Sequence, residues 1–150
     1  MPLFFDPPRA SSLEELFLYE DKDYIYLPRG MIFLLGNIKK TAILFALVAK
    51  RDLLKLIDKQ DYFNISLEEL SKLSGIYSKK STEYFMKQLE YDGFIDTSVT
   101  SRPKVRAVKL NDEIILKAYN ELPPIPCDLS DADIEDPLIG GILKDQLGLR

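Results

Sequence analysis

The chain has 150 residues, enough for one domain with a buried core, and its 46% hydrophobic and 29% charged residues exclude an intrinsically disordered chain. A formal net charge of −4 excludes a uniformly basic protein, yet the charge is uneven: residues 76–110 hold 7 basic and 4 acidic groups, net +3, whereas residues 111–150 hold 3 and 9, net −6. With no histidine and one cysteine, Cys127, an intrachain disulfide and a thiolate metal cluster are excluded, and the common zinc and general-base chemistries lack their usual residues.

The longest apolar run, 42–49, is far short of the roughly 20 residues of a membrane span. The opening Met-Pro-Leu-Phe-Phe-Asp-Pro-Pro lacks the basic start and long apolar stretch of a secretory signal. These features predict a cytoplasmic protein with no membrane partner.

In chain order, Ser12-Leu13-Glu14-Glu15 reads as a capping box and predicts a short helix to about Glu20. Tyr24-Ile25-Tyr26-Leu27 is extended and broken by Pro28-Arg29-Gly30; a small hairpin and a strand running into a short helix both satisfy it. Asn37 is the expected cap of a long helix to about Ile57. Its stripe at 38, 42, 45, 49, 53 and 56 is widened by Ile43, Leu44, Leu47 and Val48 until the first half is apolar nearly all round. Such a helix is central in a core or lies in a dimer interface. After a polar turn at 58–61, Tyr62-Phe63-Asn64-Ile65 suits a short strand.

Ser66 begins a second capping box with Glu69; Leu67, Leu70 and Leu73 face inward, and Gly75 suits the left-handed position that ends a helix. Ser78 then caps a third helix whose Thr82, Phe85, Met86 and Leu89 recur at spacings of three and four and predict its buried face. Lys79, Lys80, Ser81, Tyr84, Lys87 and Gln88 fall largely on the other face, and Gly93 closes the helix before Phe94-Ile95. Residues 96–110 alternate as a β-hairpin does, with a turn at 100–103 and Arg102, Lys104, Arg106 and Lys109 along it. Asn111 or Asp112 caps a last helix over 113–122. Pro123-Pro124-Ile125-Pro126 stops it as a stiff spacer, and an acidic stretch at 128–136 leads into an apolar piece at 138–149.

This order of strand, two helices at a tight turn and basic hairpin resembles the winged helix-turn-helix. The resemblance is clearest in Gly75-Ile76-Tyr77-Ser78-Lys79-Lys80-Ser81-Thr82 and in Leu89-Glu90-Tyr91-Asp92-Gly93-Phe94-Ile95. These are similar to the recognition helix and its exit in MarR-like regulators and in the N-terminal domains of plasmid and phage replication initiators. Tyr26-Leu27-Pro28-Arg29 is similar to the leader of the initiator group. The expected fold is mainly α with a small β wing. Its expected division is an N-terminal extension at 1–36, the winged helix-turn-helix at 37–122, and a Pro-rich spacer with an acidic and apolar tail at 123–150.

The resemblance implies that the third helix enters the major groove of double-stranded DNA and that the wing touches its backbone. Lys79, Lys80 and Lys87 would neutralise phosphates. Ser81 and Gln88 are able to hydrogen-bond base edges, with Tyr84 beside them. Arg102, Lys104 and Arg106 would make the wing contact, and the helices headed by Ser66 and Ser78 would offer free amides to phosphate oxygens. Two departures stand out: Glu83 lies within the presumed reading face, and the third helix has no arginine for guanine.

The implied function is transcriptional regulation or replication initiation on a small replicon, without cofactor and without catalysis. A homodimer is expected from the apolar surface at 38–57 and on the last helix. The alternative is a winged helix used for protein–protein contact in a polymerase, replisome or partition assembly. The apolar residues Ile134, Leu138, Ile139, Ile142, Leu143 and Leu147 would give the tail a protein partner. The bland reading competes throughout, since lysines on an exposed helix face are usually solvated and nothing more.

Overall fold

Residues 4–18, 24–101 and 104–126 are described by the structure, a computed structural model. In chain order the elements are β1 (Phe4–Phe5), α1 (Leu13–Phe17), α2 (Arg29–Leu35), α3 (Ile38–Leu54), β2 (Phe63–Asn64), α4 (Leu67–Ser74), α5 (Lys79–Tyr91), β3 (Ile95–Ser101), β4 (Lys104–Leu110), α6 (Asp112–Asn120) and β5 (Ile125–Pro126). The architecture is mainly α with a small three-stranded antiparallel sheet, order β2-β4-β3, and a separate β1-β5 pair.

The predicted central helix starts as expected. Asn37 Oδ1 accepts the Lys40 N–H at 3.0 Å, and the Thr41 hydroxyl donates to the Asn37 carbonyl at 2.8 Å. Ile43, Leu44, Ala46, Leu47 and Val48 of α3 are fully buried, and each buried Leu or Ile contributes about 1.5–3 kcal/mol. That apolar girth is covered from within the chain, because α1, α2, α4 and α5 all pack against α3. Only Ile38 and the far end, with Leu53, Leu54 and then Ile57, keep apolar surface in solvent.

The segment ahead of α3 belongs to this same core rather than standing apart as an extension: Ala10, Leu13, Phe17, Met31, Leu34 and Leu35 are buried in it. The ambiguous stretch after Tyr24 resolves into extended backbone followed by α2. The first helix is shorter than predicted, ending at Phe17, and its expected continuation to Glu20 lies outside the described residues. Asn120 secures the start of the chain, accepting the Ala10 N–H and donating to the Ala10 carbonyl, both at 2.9 Å.

Two local readings change. Asn111 occupies the N-cap position of α6, but its amide donates to the Gly93 carbonyl at 2.9 Å instead of capping, tying the exit of α5 to the entry of α6. The Pro-rich stretch is not simply a spacer, since Ile125 and Pro126 pair with Phe5 and Phe4 and Ile125 is buried. Residues 127–150, with the acidic and apolar tail, lie outside the described residues. Among the described residues no single helix is long and apolar enough to cross a membrane.

Candidate nucleic-acid interface

The region begins with two helices held by different caps. At α4, Ser66 Oγ accepts the Glu69 N–H at 3.0 Å while the Glu69 carboxylate accepts the Ser66 N–H at 3.4 Å and also pairs with Lys50. Gly75, at φ +77°, ends α4 in the left-handed geometry that other residues adopt at a cost. At α5, Ser78 Oγ accepts the Ser81 N–H at 3.2 Å and the Thr82 hydroxyl donates to the Ser78 carbonyl at 2.9 Å. No acidic residue stands in the first turn of α5.

Along α5, Thr82, Met86 and Leu89 are buried and Phe85 is half-buried. With an advance of about 100° per residue, Lys80, Tyr84, Lys87 and Tyr91 fall on one ridge diametrically opposite that face. All four are exposed, as is Lys79. Ser81 and Gln88 flank this ridge on one side, half-buried, and Glu83 and Glu90 flank it on the other. The Tyr84 ring meets Phe85 edge-on, centroids 5.3 Å apart at 72°.

Electrostatics separate these cations from most others in the fold. Lys40 pairs with Asp92, Lys50 with Glu69, Lys59 with Glu14, Lys72 with Glu68 and Lys109 with Asp96. Among the described residues, the ammonium groups of Lys79, Lys80 and Lys87 form no ion pair. The Glu69 carboxyl is held below its ordinary value, chiefly by the hydrogen bond from Lys50.

The β3–β4 hairpin packs beside α5 in full register, from Ile95 opposite Leu110 to Ser101 opposite Lys104. Between helix and hairpin is a cleft of about 230 Å³ lined by Glu83, Met86, Lys87, Glu90, Thr97 and Arg106. Arg106 Nη2 lies 3.6 Å from Glu83 Oε1, an ion pair too long for a hydrogen bond. Lys109 stands over the Tyr62 ring, 5.9 Å from its centroid.

The expected site residues therefore divide. Lys80, Ser81, Tyr84, Lys87 and Gln88 share the outer half of α5, and Lys79 is exposed at its first position. Ser78 is a true cap, and with its hydroxyl on Ser81 it leaves the earlier amides of α5 without an acidic neighbour in that turn. Ser66 does not offer a free helix end, because the Glu69 carboxylate already occupies its amide and would repel a phosphate. Arg106 is not a free cation of the hairpin but is bound to Glu83, with its side chain only 18% exposed. Lys104 lies in β4, and Arg102 lies outside the described residues.

The sequence reading missed the Glu83–Arg106 pair, because 23 residues separate the partners and only the fold brings helix and hairpin together. The signal available was an acid on a basic face facing a hairpin rich in cations. Among the described residues no group of three or more His, Cys, Asp or Glu could hold a metal ion. No protein-family model, curated protein or solved structure matches the chain.

Proposed function

We propose that this chain is a winged helix-turn-helix protein that binds double-stranded DNA, with α5 in the major groove and the β3–β4 hairpin on the backbone. The order α3, β2, α4, α5, β3, β4, with β4 central in its sheet, supports that fold assignment. The observation that carries the function is the set of unpaired lysines, Lys79, Lys80 and Lys87, on the solvent face of a helix whose first turn lacks acids. Phosphate neutralisation is their role, while Ser81 and Gln88 on the flank are the candidates for base edges. The hairpin contact falls to Arg102 and Lys104, since Arg106 already serves Glu83. The role is transcriptional regulation or replication initiation on a small replicon.

Salt-titrated binding to duplex DNA tests this reading. Each phosphate contact contributes about −0.9 to the slope of log affinity against log salt, so the three lysines and two hairpin cations give roughly −3 to −5. The Lys79→Glu/Lys80→Glu variant should lose at least about tenfold in affinity. A gel shift identical to the parent's would sink the assignment.

One observation favours a second reading, protein–protein contact: Leu53, Leu54 and Ile57 are 69%, 43% and 107% exposed at one end of α3. A chain that ignores duplex DNA at about 50 mM salt belongs to that class.

A further inference from the structure

Two tyrosines of α5 and one just ahead of its cap are exposed in a way that contact with a closed duplex does not call for. Tyr77, Tyr84 and Tyr91 are 86%, 57% and 65% exposed and recur every seven residues. Lys80 and Lys87 stand between them. Within the helix, Lys80, Tyr84, Lys87 and Tyr91 follow one another at steps of four, three and four, so cation and aromatic alternate along a ridge of about 16 Å. Tyr77 precedes the Ser78 cap and is exposed as well. Burial does not account for Lys80, Tyr84 and Lys87, because the core side of α5 is the opposite one.

Stacked duplex DNA has its base faces covered and shows a groove only base edges, sugars and phosphates. Lysines suffice for the phosphates, but an exposed aromatic face has no flat counterpart there. Unstacked bases supply that counterpart: every base has a π-face, and ring-on-base stacking with cations tracking the backbone is how single strands are held without sequence preference. The Tyr84 ring meets Phe85 on one side only and is otherwise open to a base.

We propose that Lys80, Tyr84 and Lys87 of this ridge, with the exposed Tyr77 just ahead of the helix, bind single-stranded DNA, with Tyr84 and Tyr77 stacking on bases and Lys80 and Lys87 meeting phosphates. This goes beyond the duplex reading; only the choice of DNA over RNA rests on it.

The test is fluorescence anisotropy of a labelled oligothymidylate of about 20 nucleotides, with a duplex and an oligouridylate of equal length in parallel, using the full chain at about 100 mM salt. The parent should bind oligothymidylate. Tyr84→Leu, which keeps apolar bulk but removes the π-face, should weaken that binding about tenfold and lower duplex affinity by a clearly smaller factor. Tyr84→Phe should retain it, and Tyr77→Leu should lower it by several-fold. Circular dichroism on each variant confirms the parental helix content, and Tyr84→Phe separates lost stacking from lost folding. Unchanged oligothymidylate affinity in Tyr84→Leu overturns the proposal, as does binding to the duplex alone or a preference for oligouridylate. Oligothymidylate binding without duplex binding would remove the proposed function and leave this inference standing.

Discussion

Asp112 sets both carboxylate oxygens against the Arg51 guanidinium, at 2.6 and 2.7 Å, fastening the first turn of α6 to the last turn of α3. Glu14 of α1 and the Lys59 carbonyl each accept from the same guanidinium at 3.2 Å. Arg51 is 2% exposed, so one buried cation joins three helices and the loop after α3. Burial pulls its pKa down, but the Asp112 and Glu14 interactions outweigh that and hold it above the ordinary value. The planar fork suits this task in a way an ammonium cannot.

Arg51→Met is therefore expected to cost about 3–5 kcal/mol, because Asp112 would keep its burial and lose its counter-charge while Glu14 would be left with Lys59 alone. Urea denaturation measures it. Replacing Arg51 and Asp112 together by Met and Leu should cost less than Arg51→Met alone, and a double variant that is worse than the single would refute the account.

Acid should weaken the fold through the same cluster. Burial pushes the Glu14 carboxyl up, but a hydrogen bond from its own backbone, Lys59 and Arg51 together bring it below the ordinary 4.5. A carboxyl depressed on folding contributes stability that is complete above its unfolded value and is lost as pH falls through the folded one. Glu69, lowered by Lys50, acts in the same direction. Melting temperature should thus be level from about pH 7 to about 5 and fall below that, and Glu14→Gln should flatten part of the fall.

Gly30 is expected to tolerate no side chain. A Cβ there would lie 2.8 Å from Tyr119 Cε2 and 3.2 Å from Pro7 Cβ, with Tyr119 itself buried in the packing of α2 on α6. Gly30→Ala should cost about 1–3 kcal/mol despite alanine's better helix propensity. A melting temperature equal to the parent's would show that α2 and α6 can separate without loss.

Lys55, by contrast, offers a gain. It ends α3 at φ +48°, a left-handed backbone that costs a residue with a Cβ roughly 1 kcal/mol. Lys55→Gly should stabilise the protein by about 0.5–1 kcal/mol in the same denaturation assay.

Glu83→Gln should tighten duplex binding by a few-fold at low salt, since it removes the anion on the helix flank facing the hairpin and releases Arg106 from its partner. The gain should shrink as salt rises. A loss of binding would mean that the Glu83–Arg106 contact is needed to set the hairpin against the helix.

What could be read from the sequence was local. Asn37, Ser66 and Ser78 announce their helices because a cap is decided within four residues, and the buried face of α5 follows from spacing alone; the stripe read for α3 does not hold, since Ile38 and Leu53 are exposed and only Ala42 of it is buried. Arg51 and Asp112, Glu83 and Arg106, and Phe4 and Pro126 are joined only by tertiary folding, and no local pattern marks them. The same limit explains the candidate site. The lysines and Tyr84 of α5 were visible as an outward face, whereas Ser66 and Arg106 lost their expected freedom to partners that the chain brings from elsewhere.

The pairing of Phe4 with Pro126 and Phe5 with Ile125 brings the outer limits of the described backbone side by side. With residues 1–3 and 127–150 removed, a bridge of a few residues there would make the backbone a ring, and new ends could then be opened in the polar turn after α3 without cutting a helix. Whatever is joined before β1 or after β5 leaves from the same corner of the molecule, so a tag at one end and the acidic segment at the other share a single point of departure.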